Sequence, residues 1–181
     1  YDHRQAEAVT LSGQLNIKWI EMKLNEYFNK LYQTDRKDYI IASDTDSVYI
    51  NMAPLVNMSG ATDKVKIVKA LDQFCSDKLE PYIADCYEQL GNYMNVFENK
   101  MVMKREVIAD KGIWTAKKRY ILNVFNEEGV DMKEPKLKIM GIEAVKSSTP
   151  APCRVKIKEA LKVIMNKDEN ALIQFIDEFR T

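Results

Sequence analysis

Two aspartates, Asp44 and Asp46, are the residues whose types and spacing best suit catalysis. Residues 39–43 and 48–50 are rich in β-branched and aromatic side chains, and the Asp-Thr-Asp-Ser between them has the composition of a turn. This pattern predicts a β-hairpin with both carboxylates at its tip. Side chains two residues apart on an extended backbone point to the same side, and carboxylates that close repel each other unless a cation lies between them. Such oxygen ligands suit Mg²⁺, so the pattern indicates a divalent-metal site for phosphoryl transfer.

Other classes of protein use the same short string. Asp-Xaa-Asp is frequent in turns that bind no metal, because aspartate bonds to nearby backbone. Residues 44–48 also fit the Asp-Xaa-Asp-Xaa-Val of haloacid-dehalogenase-type phosphatases, in which Asp44 would be the nucleophile, although a strand should not resume at once there. A glycosyltransferase Asp-Xaa-Asp is a third alternative. An EF-hand is excluded, since Val48 and Tyr49 stand where its loop needs an oxygen ligand and a glycine.

A second group, Trp-Thr-Ala-Lys-Lys-Arg-Tyr at residues 114–120, combines three cations with two aromatic rings. Lysine and arginine bind phosphates and also reach sugars and base edges. Further lysines follow at Lys136, Lys138 and Lys146. A run of charges is often only a solvated surface, but beside a metal site it would suit a nucleic acid and its nucleotide. The sequence has no Gly-rich phosphate loop, so metal would have to hold a triphosphate.

The composition limits the class of protein. The chain has 181 residues, 46% of them apolar and 30% charged, with 27 basic and 27 acidic side chains. No apolar run approaches the length of a membrane span. The single histidine and three cysteines without metal-type spacing disfavour a zinc site and a His-based hydrolase. Because the sequence does not begin with Met, we expect it to be a piece of a longer protein.

The elements that must position these groups follow from hydrophobic periodicity. A long amphipathic helix is predicted over residues 1–32, and a second over residues 63–94 that Pro81 kinks or splits. A surface loop is expected at residues 53–62. Strands are predicted at residues 101–108, 120–125 and 137–140.

Together with the opening hairpin, these strands predict an antiparallel sheet packed on two long helices, an α+β fold. A proline-containing linker at residues 146–152 precedes a short helical segment, predicted as one helix over residues 154–166 and another capped by Asp168.

Four motifs in this order closely resemble the palm of B-family DNA polymerases, in particular the replicative polymerases of T-even-like bacteriophages. They are Asp-Thr-Asp-Ser at residues 44–47, Lys-Lys-Arg-Tyr at 117–120, Glu-Pro-Lys-Leu-Lys-Ile-Met-Gly-Ile-Glu at 134–143 and Lys-Ser-Ser-Thr-Pro at 146–150. The resemblance covers essentially the whole chain. It implies that residues 1–140 are the C-terminal part of the palm and residues 141–181 the beginning of the thumb.

The resemblance also implies roles for individual residues. Asp44 and Asp46 match the catalytic, metal-binding aspartates, which with Thr45 also face the nucleotide. Glu106 corresponds to an acidic position near the metals. The match to the motif that grips the primer end covers four residues: Lys117, Lys118, Arg119 and Tyr120. Lys118 and Lys146 resemble the pair that reaches the minor groove, where lysines check base-pair geometry without reading sequence.

The implied cofactor is Mg²⁺, two ions in the complete enzyme, and the implied partners are primer-template DNA and a deoxynucleoside triphosphate. The fingers, the other part of the palm and the exonuclease domain would complete the protein, on this polypeptide or another. No membrane partner is expected, and the resemblance implies the cytoplasm of a bacterial host.

The sequence departs from the polymerase pattern at Ala42, Ser43 and Lys104, where the family commonly has an aromatic residue, a glycine and an acidic residue. The palm motif Ser-Leu-Tyr-Pro-Ser with its aspartate and the motif of the fingers helix have no match. We therefore expect the 181 residues alone not to polymerise. The alternatives are a non-catalytic DNA-binding module and an Asp-dependent phosphatase.

Overall fold

The computed structural model describes residues 2–180 and has the predicted α+β fold. The chain divides into two compact units, Tyr1–Arg105 and Glu106–Thr181. In the described part of the chain, the first unit contains a two-stranded sheet and the second a three-stranded sheet, so the strands do not form the single sheet that was predicted. The boundary predicted between palm and thumb at residues 140 and 141 stays a prediction.

The first unit begins with helix α1 (His3–Tyr32), as the periodicity predicted. Asp2 caps it, because its carboxylate accepts a hydrogen bond from the backbone amide of Arg4 at 2.9 Å. The residues at four-residue steps on one face of α1 are fully buried: Ile20, Leu24 and Phe28. Strands β1 (Ile40–Asp44) and β2 (Ser47–Ile50) form the predicted antiparallel hairpin.

Helix α2 (Ala53–Ser59) occupies the segment that was predicted as a loop, and that prediction was wrong. Pro54 was taken as a loop signal, but it lies in the first turn of α2, where a missing backbone N–H costs nothing. The side-chain oxygen of Asn51 accepts a hydrogen bond from the amide of Ala53 at 3.0 Å. Gly60 follows the last residue of the helix and caps it, with a φ of 63° that glycine adopts readily.

Helices α3 (Lys64–Phe74) and α4 (Glu80–Tyr93) form the second predicted helical region. A π-helical turn, Cys75–Leu79, joins them just before Pro81, which confirms that the helix is interrupted there. Proline cannot donate a backbone hydrogen bond, and a wider turn accommodates that missing bond. Together α1, the hairpin and α4 enclose one core, whose buried residues are Ile20, Leu24, Phe28, Tyr39, Leu79, Ile83, Cys86 and Tyr87.

The predicted strand at residues 101–108 is wrong over its first six residues, because β3 begins only at Val107. In this segment Arg105 bonds to helix side chains and not to a neighbouring strand. The amide of Arg105 donates to the carboxylate of Glu80 at 3.0 Å, and the Arg105 guanidinium forms an ion pair with Asp72. Strand propensity did not prevail over these contacts.

The second unit contains β3 (Val107–Ala116), β4 (Arg119–Glu127) and β5 (Val130–Met140), paired antiparallel with β4 in the centre. Strands β4 and β5 confirm the strands predicted at residues 120–125 and 137–140, and both are longer than predicted. A two-residue turn, Glu128–Gly129, joins β4 to β5, and both of its residues have positive φ, 51° and 86°. Such a turn matches the twist of the flanking strands.

Two helices follow, α5 (Ala151–Asn166) and α6 (Glu169–Arg180). Helix α5 begins before the predicted residue because Pro152 is tolerated in a first helical turn. Asp168 caps α6 as predicted, accepting from the amide of Ala171 at 2.9 Å. The buried residues of this unit's core cluster are Ile121, Ala144, Leu161 and Met165. None of the helices among residues 2–180 is long and apolar enough to span a membrane.

Candidate functional site

The tip of the first hairpin is a tight turn that holds both predicted aspartates. Asp44 ends β1 and pairs with Ser47, which leaves Thr45 and Asp46 as the turn residues. The amide of Asp46 donates to the carbonyl of Asp44 at 2.6 Å, around Thr45, whose φ is 50°. A positive φ is unfavourable for a β-branched residue. The turn therefore has a specific, strained shape, as is frequent where chain geometry serves function.

The two aspartates of this turn differ in their surroundings. Asp44 is half-buried, and its carboxylate accepts a hydrogen bond from the hydroxyl of Thr45 at 3.1 Å. Its carbonyl also accepts from the hydroxyl of Ser47 at 3.1 Å. Asp46 is exposed. Because Asp46 lies in the turn and not in a strand, the argument that an extended backbone places both side chains on one side does not apply to it.

Helix α1 fixes the start of this hairpin through two asparagines. Asn25 accepts from the amide of Tyr39 at 2.8 Å and donates to Asp38 at 2.9 Å. Asn29 donates to the carbonyl of Lys37 at 2.7 Å. Tyr39 is buried, with 2% of its surface exposed. The connector before the hairpin is thus hydrogen-bonded to α1 where it leads into β1.

The chemistry of the tip suits a divalent cation. Mg²⁺ commonly binds one or two carboxylates and completes its shell with water and substrate phosphates, which the pair at Asp44 and Asp46 can match. Residues 2–180 contain no group of three His, Cys, Asp or Glu side chains that could hold a metal by themselves. The two aspartates would therefore supply part of a ligand set.

Glu106, predicted as a further metal-binding position, stands immediately before β3. Its carboxylate forms an ion pair with Lys138 of β5, and Glu127 lies 3.5 Å from the same ammonium group. Burial by itself would lower the pKa of Lys138, but the bond to Glu106 and the charges of both carboxylates outweigh it and raise that pKa. Lys138 is thus neutralised within the second unit and adds little positive charge to a binding surface.

The second candidate hairpin joins β3 to β4 and carries the Lys-Lys-Arg-Tyr motif. Lys117 and Lys118 form its exposed turn, and Lys118 has a φ of 61°. Arg119 begins β4 opposite Ala116. Tyr120 is only 7% exposed, and its ring centre lies 6.4 Å from that of Trp114. The lysines are accessible to a ligand, whereas little of the Tyr120 ring could contact one.

A close backbone approach brings Lys146 into the same region of the second unit. Gly141 has a φ of 67°, and a side chain there would collide with the carbonyl of Lys118. The chain therefore turns directly against the β3–β4 hairpin after β5. We call Lys117, Lys118, Arg119 and Lys146 the cation cluster.

Glu143 connects two members of this cluster. Its carboxylate accepts from Arg119 at 2.5 Å and from Lys146 at 3.1 Å. Hydrogen bonding to its own backbone amide, then to Lys146, together with the charge of Arg119, lowers the pKa of Glu143 to about 2. The carboxylate is thus ionised at neutral pH, and the cluster contains an anion.

Sequence reasoning assigned no role to Glu143 or Gly141. The spacing of Glu143 and Lys146 would suggest an i,i+3 pair, but Arg119 is 24 residues away, and no local pattern could identify it as a partner.

Comparison with known proteins finds that this chain is similar to a segment of DNA polymerases. No protein-family model matches it. It is similar along nearly its whole length to DNA-directed DNA polymerases of phages, which confirms the resemblance to B-family polymerases for a segment of such a protein.

The two relatives compared come from enterobacterial phages. The chain is 40% identical to a DNA-directed DNA polymerase of Enterobacteria phage T4, in an alignment of 191 residues, gaps included, that covers 99% of the chain. It is 39% identical over 180 residues, 93% of its length, to one of Escherichia phage RB69. The chain spans about a fifth of the length of each relative, 21% and 20%.

Proposed function

We propose that this chain is the palm and early thumb segment of a phage DNA polymerase, whose complete form adds deoxynucleotides to a primer on a DNA template. The observation that carries this proposal is the match of about 40% identity along the chain to two phage DNA polymerases. The strained hairpin tip with two carboxylates and the cluster of exposed cations support it. The proposed setting is the cytoplasm of a bacterial host.

Asp44 and Asp46 are the proposed metal ligands, and Glu106 is a weaker candidate because Lys138 already occupies its carboxylate. Two Mg²⁺ ions, when bound, would neutralise charge on the triphosphate and on the attacking 3′-oxygen. The protein residues position the reactants. The rigid hairpin holds Asp44, Thr45 and Asp46 against the nucleotide, and the cation cluster holds the primer-template backbone.

The cation cluster is proposed to bind the duplex mainly through its phosphates. Lys117 and Lys118 project from a turn that the neighbouring chain at Gly141 supports, so their positions are restricted. Lys118 and Lys146 are proposed to lie at the minor groove beside the primer end, where their ammonium groups also neutralise the flanking phosphates. Tyr120 is proposed to act there chiefly by packing on Trp114 and so stabilising the hairpin.

A chimaera tests this function. The segment of the phage T4 relative that aligns with this chain is replaced by residues 1–181, and primer extension is measured with Mg²⁺ and all four nucleotides. Asp46→Asn should lower the rate about a thousandfold, because a metal-dependent step loses several kcal/mol of transition-state stabilisation. Duplex affinity should stay within about twofold.

Asp35→Asn is the matched control, since it removes the same charge from the exposed connector before the hairpin. Its extension rate should equal that of the unmodified chimaera. A folded chimaera that binds duplex but extends equally well with Asp46→Asn would contradict the metal role. Metal titration calorimetry that finds no site on a chimaera with intact duplex binding would favour a non-catalytic DNA-binding module, and hydrolysis of an aryl phosphate that requires Asp44 would favour a phosphatase.

A further inference from the structure

We propose that Glu143 lowers the affinity of the cation cluster for DNA by occupying Arg119 and Lys146 until a backbone phosphate takes its place. The inference rests on the proposed function, because it assumes that the cluster binds a duplex. Glu143 would act through Arg119 and Lys146, and it is negatively charged, as DNA is.

The contacts of Glu143 resemble those a phosphate would make. One carboxylate oxygen accepts from Nη2 of Arg119 at 2.5 Å and from Nζ of Lys146 at 3.1 Å. The side chains of Arg119, Lys146 and Glu143 are 40%, 44% and 49% exposed, so the group opens to solvent. An incoming phosphate oxygen would meet the same donors that the carboxylate now uses.

Arg119 is incompletely satisfied in this arrangement. Its Nε is buried and has no hydrogen-bond partner among the described residues. A buried donor without an acceptor is unfavourable. If Arg119 leaves Glu143 for a phosphate that also accepts from its Nε, the new bond would offset part of the cost of breaking the old one. The guanidinium can form two parallel bonds with a phosphate, more than the single bond it makes here.

Charge gives the direction of the effect. Two cations and one ionised carboxylate carry a net charge of about +1, so the trio attracts a polyanion less than two free cations would. Because Gly141 holds the turn against the Lys118 carbonyl, Glu143 stays beside the cluster after DNA has bound and continues to reduce its effective charge. Glu143 therefore lowers both the affinity for duplex DNA and its dependence on salt.

The test compares the unmodified chain of 181 residues with three variants in binding a fluorescein-labelled primer-template duplex at several KCl concentrations. Glu143→Gln should bind about two- to fivefold more tightly, the size expected when the weak attraction of one exposed carboxylate for its cations is removed. The slope of log K against log salt should become more negative by about 0.9, corresponding to one additional phosphate neutralised.

Glu159→Gln is the matched control. Glu159 forms an exposed i,i+3 pair with Lys156 at 2.8 Å, as Glu143 does with Lys146 at 3.1 Å, and it belongs to the same unit. Its removal should leave the salt slope unchanged. Glu143→Ser removes the carboxylate with a smaller side chain and should reproduce the slope of Glu143→Gln, so the proposal stays testable if one variant fails to fold.

Each outcome decides something. Weaker binding by Glu143→Gln at an unchanged melting temperature would mean that the carboxylate only orients the cations, and would overturn the proposal. Equal slopes for Glu143→Gln and Glu159→Gln would also overturn it, since any lost charge would then suffice. If the unmodified chain binds no duplex at low salt, the proposed DNA contact fails and this inference fails with it.

Discussion

Lys118 combines exposure, a charged side chain and a backbone conformation that lysine rarely adopts. Its φ of 61° is accepted because β3 and β4 must reverse within two residues, Lys117 and Lys118. A glycine would fill this position with less strain. The proposed contact to the duplex is a role that a glycine at this position could not fill.

Replacing Lys118 by alanine should weaken duplex binding with little effect on folding. Alanine retains a Cβ at the same positive φ, so the backbone strain of the turn is nearly unchanged. The salt slope should become less negative by about 0.9, because one phosphate contact is lost. Fluorescence anisotropy of a labelled duplex at several salt concentrations measures the affinity and its salt slope.

Lys156→Ala, which removes another exposed lysine, from α5, is the control and should leave the slope unchanged. A Lys118→Ala variant whose affinity falls while its slope stays the same would show that Lys118 does not contact phosphate.

Among the secondary-structure elements, the connection from β5 to α5 determines how the cation cluster forms. Gly141 lets the chain turn against the β3–β4 hairpin, and the segment that follows brings Glu143 and Lys146 to Arg119. No side chain fits at Gly141 without moving the Lys118 carbonyl. Element packing, not the helix or strand content, places the four cations together.

Gly141→Ala should therefore destabilise the second unit and weaken duplex binding together. The substitution combines an unfavourable φ with a backbone collision, and the free energy of unfolding should fall by about 2–4 kcal/mol. Urea denaturation followed by circular dichroism measures this loss.

Gly129→Ala is the control that measures the cost of the positive φ alone, without a backbone collision. Gly129 has a φ of 86°, but nothing lies within 4 Å of the position of an added Cβ. This variant should lose about 1–2 kcal/mol and bind the duplex normally. Equal losses at Gly129 and Gly141 would show that the close approach at Lys118 contributes nothing.

The first hairpin illustrates what sequence can predict. Asp-Thr-Asp-Ser is a local signal, because turn residues lie beside the strands they join. Which strands share a sheet depends on partners far away in sequence, so the division into two sheets was missed. Arg105 shows the same limit, since its bonds to Asp72 and Glu80 override the strand propensity of its own segment.

For the whole molecule, the two compact units each have a core of their own. The buried cluster around Phe28 draws only on the first unit, and the cluster around Ile121 only on the second. Each unit also contains one of the two tryptophans, Trp19 or Trp114. The stability of each core can thus be followed separately in one chain.

Phe28→Ala should destabilise the first unit selectively. Phe28 is 0% exposed and its ring stacks on Tyr32 at 5.7 Å, so its loss should cost about 3–5 kcal/mol. In a Trp114→Phe background, the denaturation midpoint reported by Trp19 should fall markedly. In a Trp19→Phe background, the midpoint reported by Trp114 should change much less.

Two controls accompany this measurement. The Trp→Phe substitutions alone give the reference midpoints, and Leu31→Ala, at a position 37% exposed on the same helix, should shift the Trp19 transition far less than Phe28→Ala. Equal shifts of both tryptophan transitions by Phe28→Ala would show that the units unfold as one.

The register of β5 has a consequence for how related chains differ in length. Leu137 pairs with Asn123 and Met140 with Tyr120, directly before Gly141. A single residue inserted between them would reverse the faces of the strand and carry Gly141 away from Lys118. An insertion at Glu128–Gly129 would only lengthen an exposed turn. Insertions and deletions among relatives should therefore collect at that turn and spare residues 137–146.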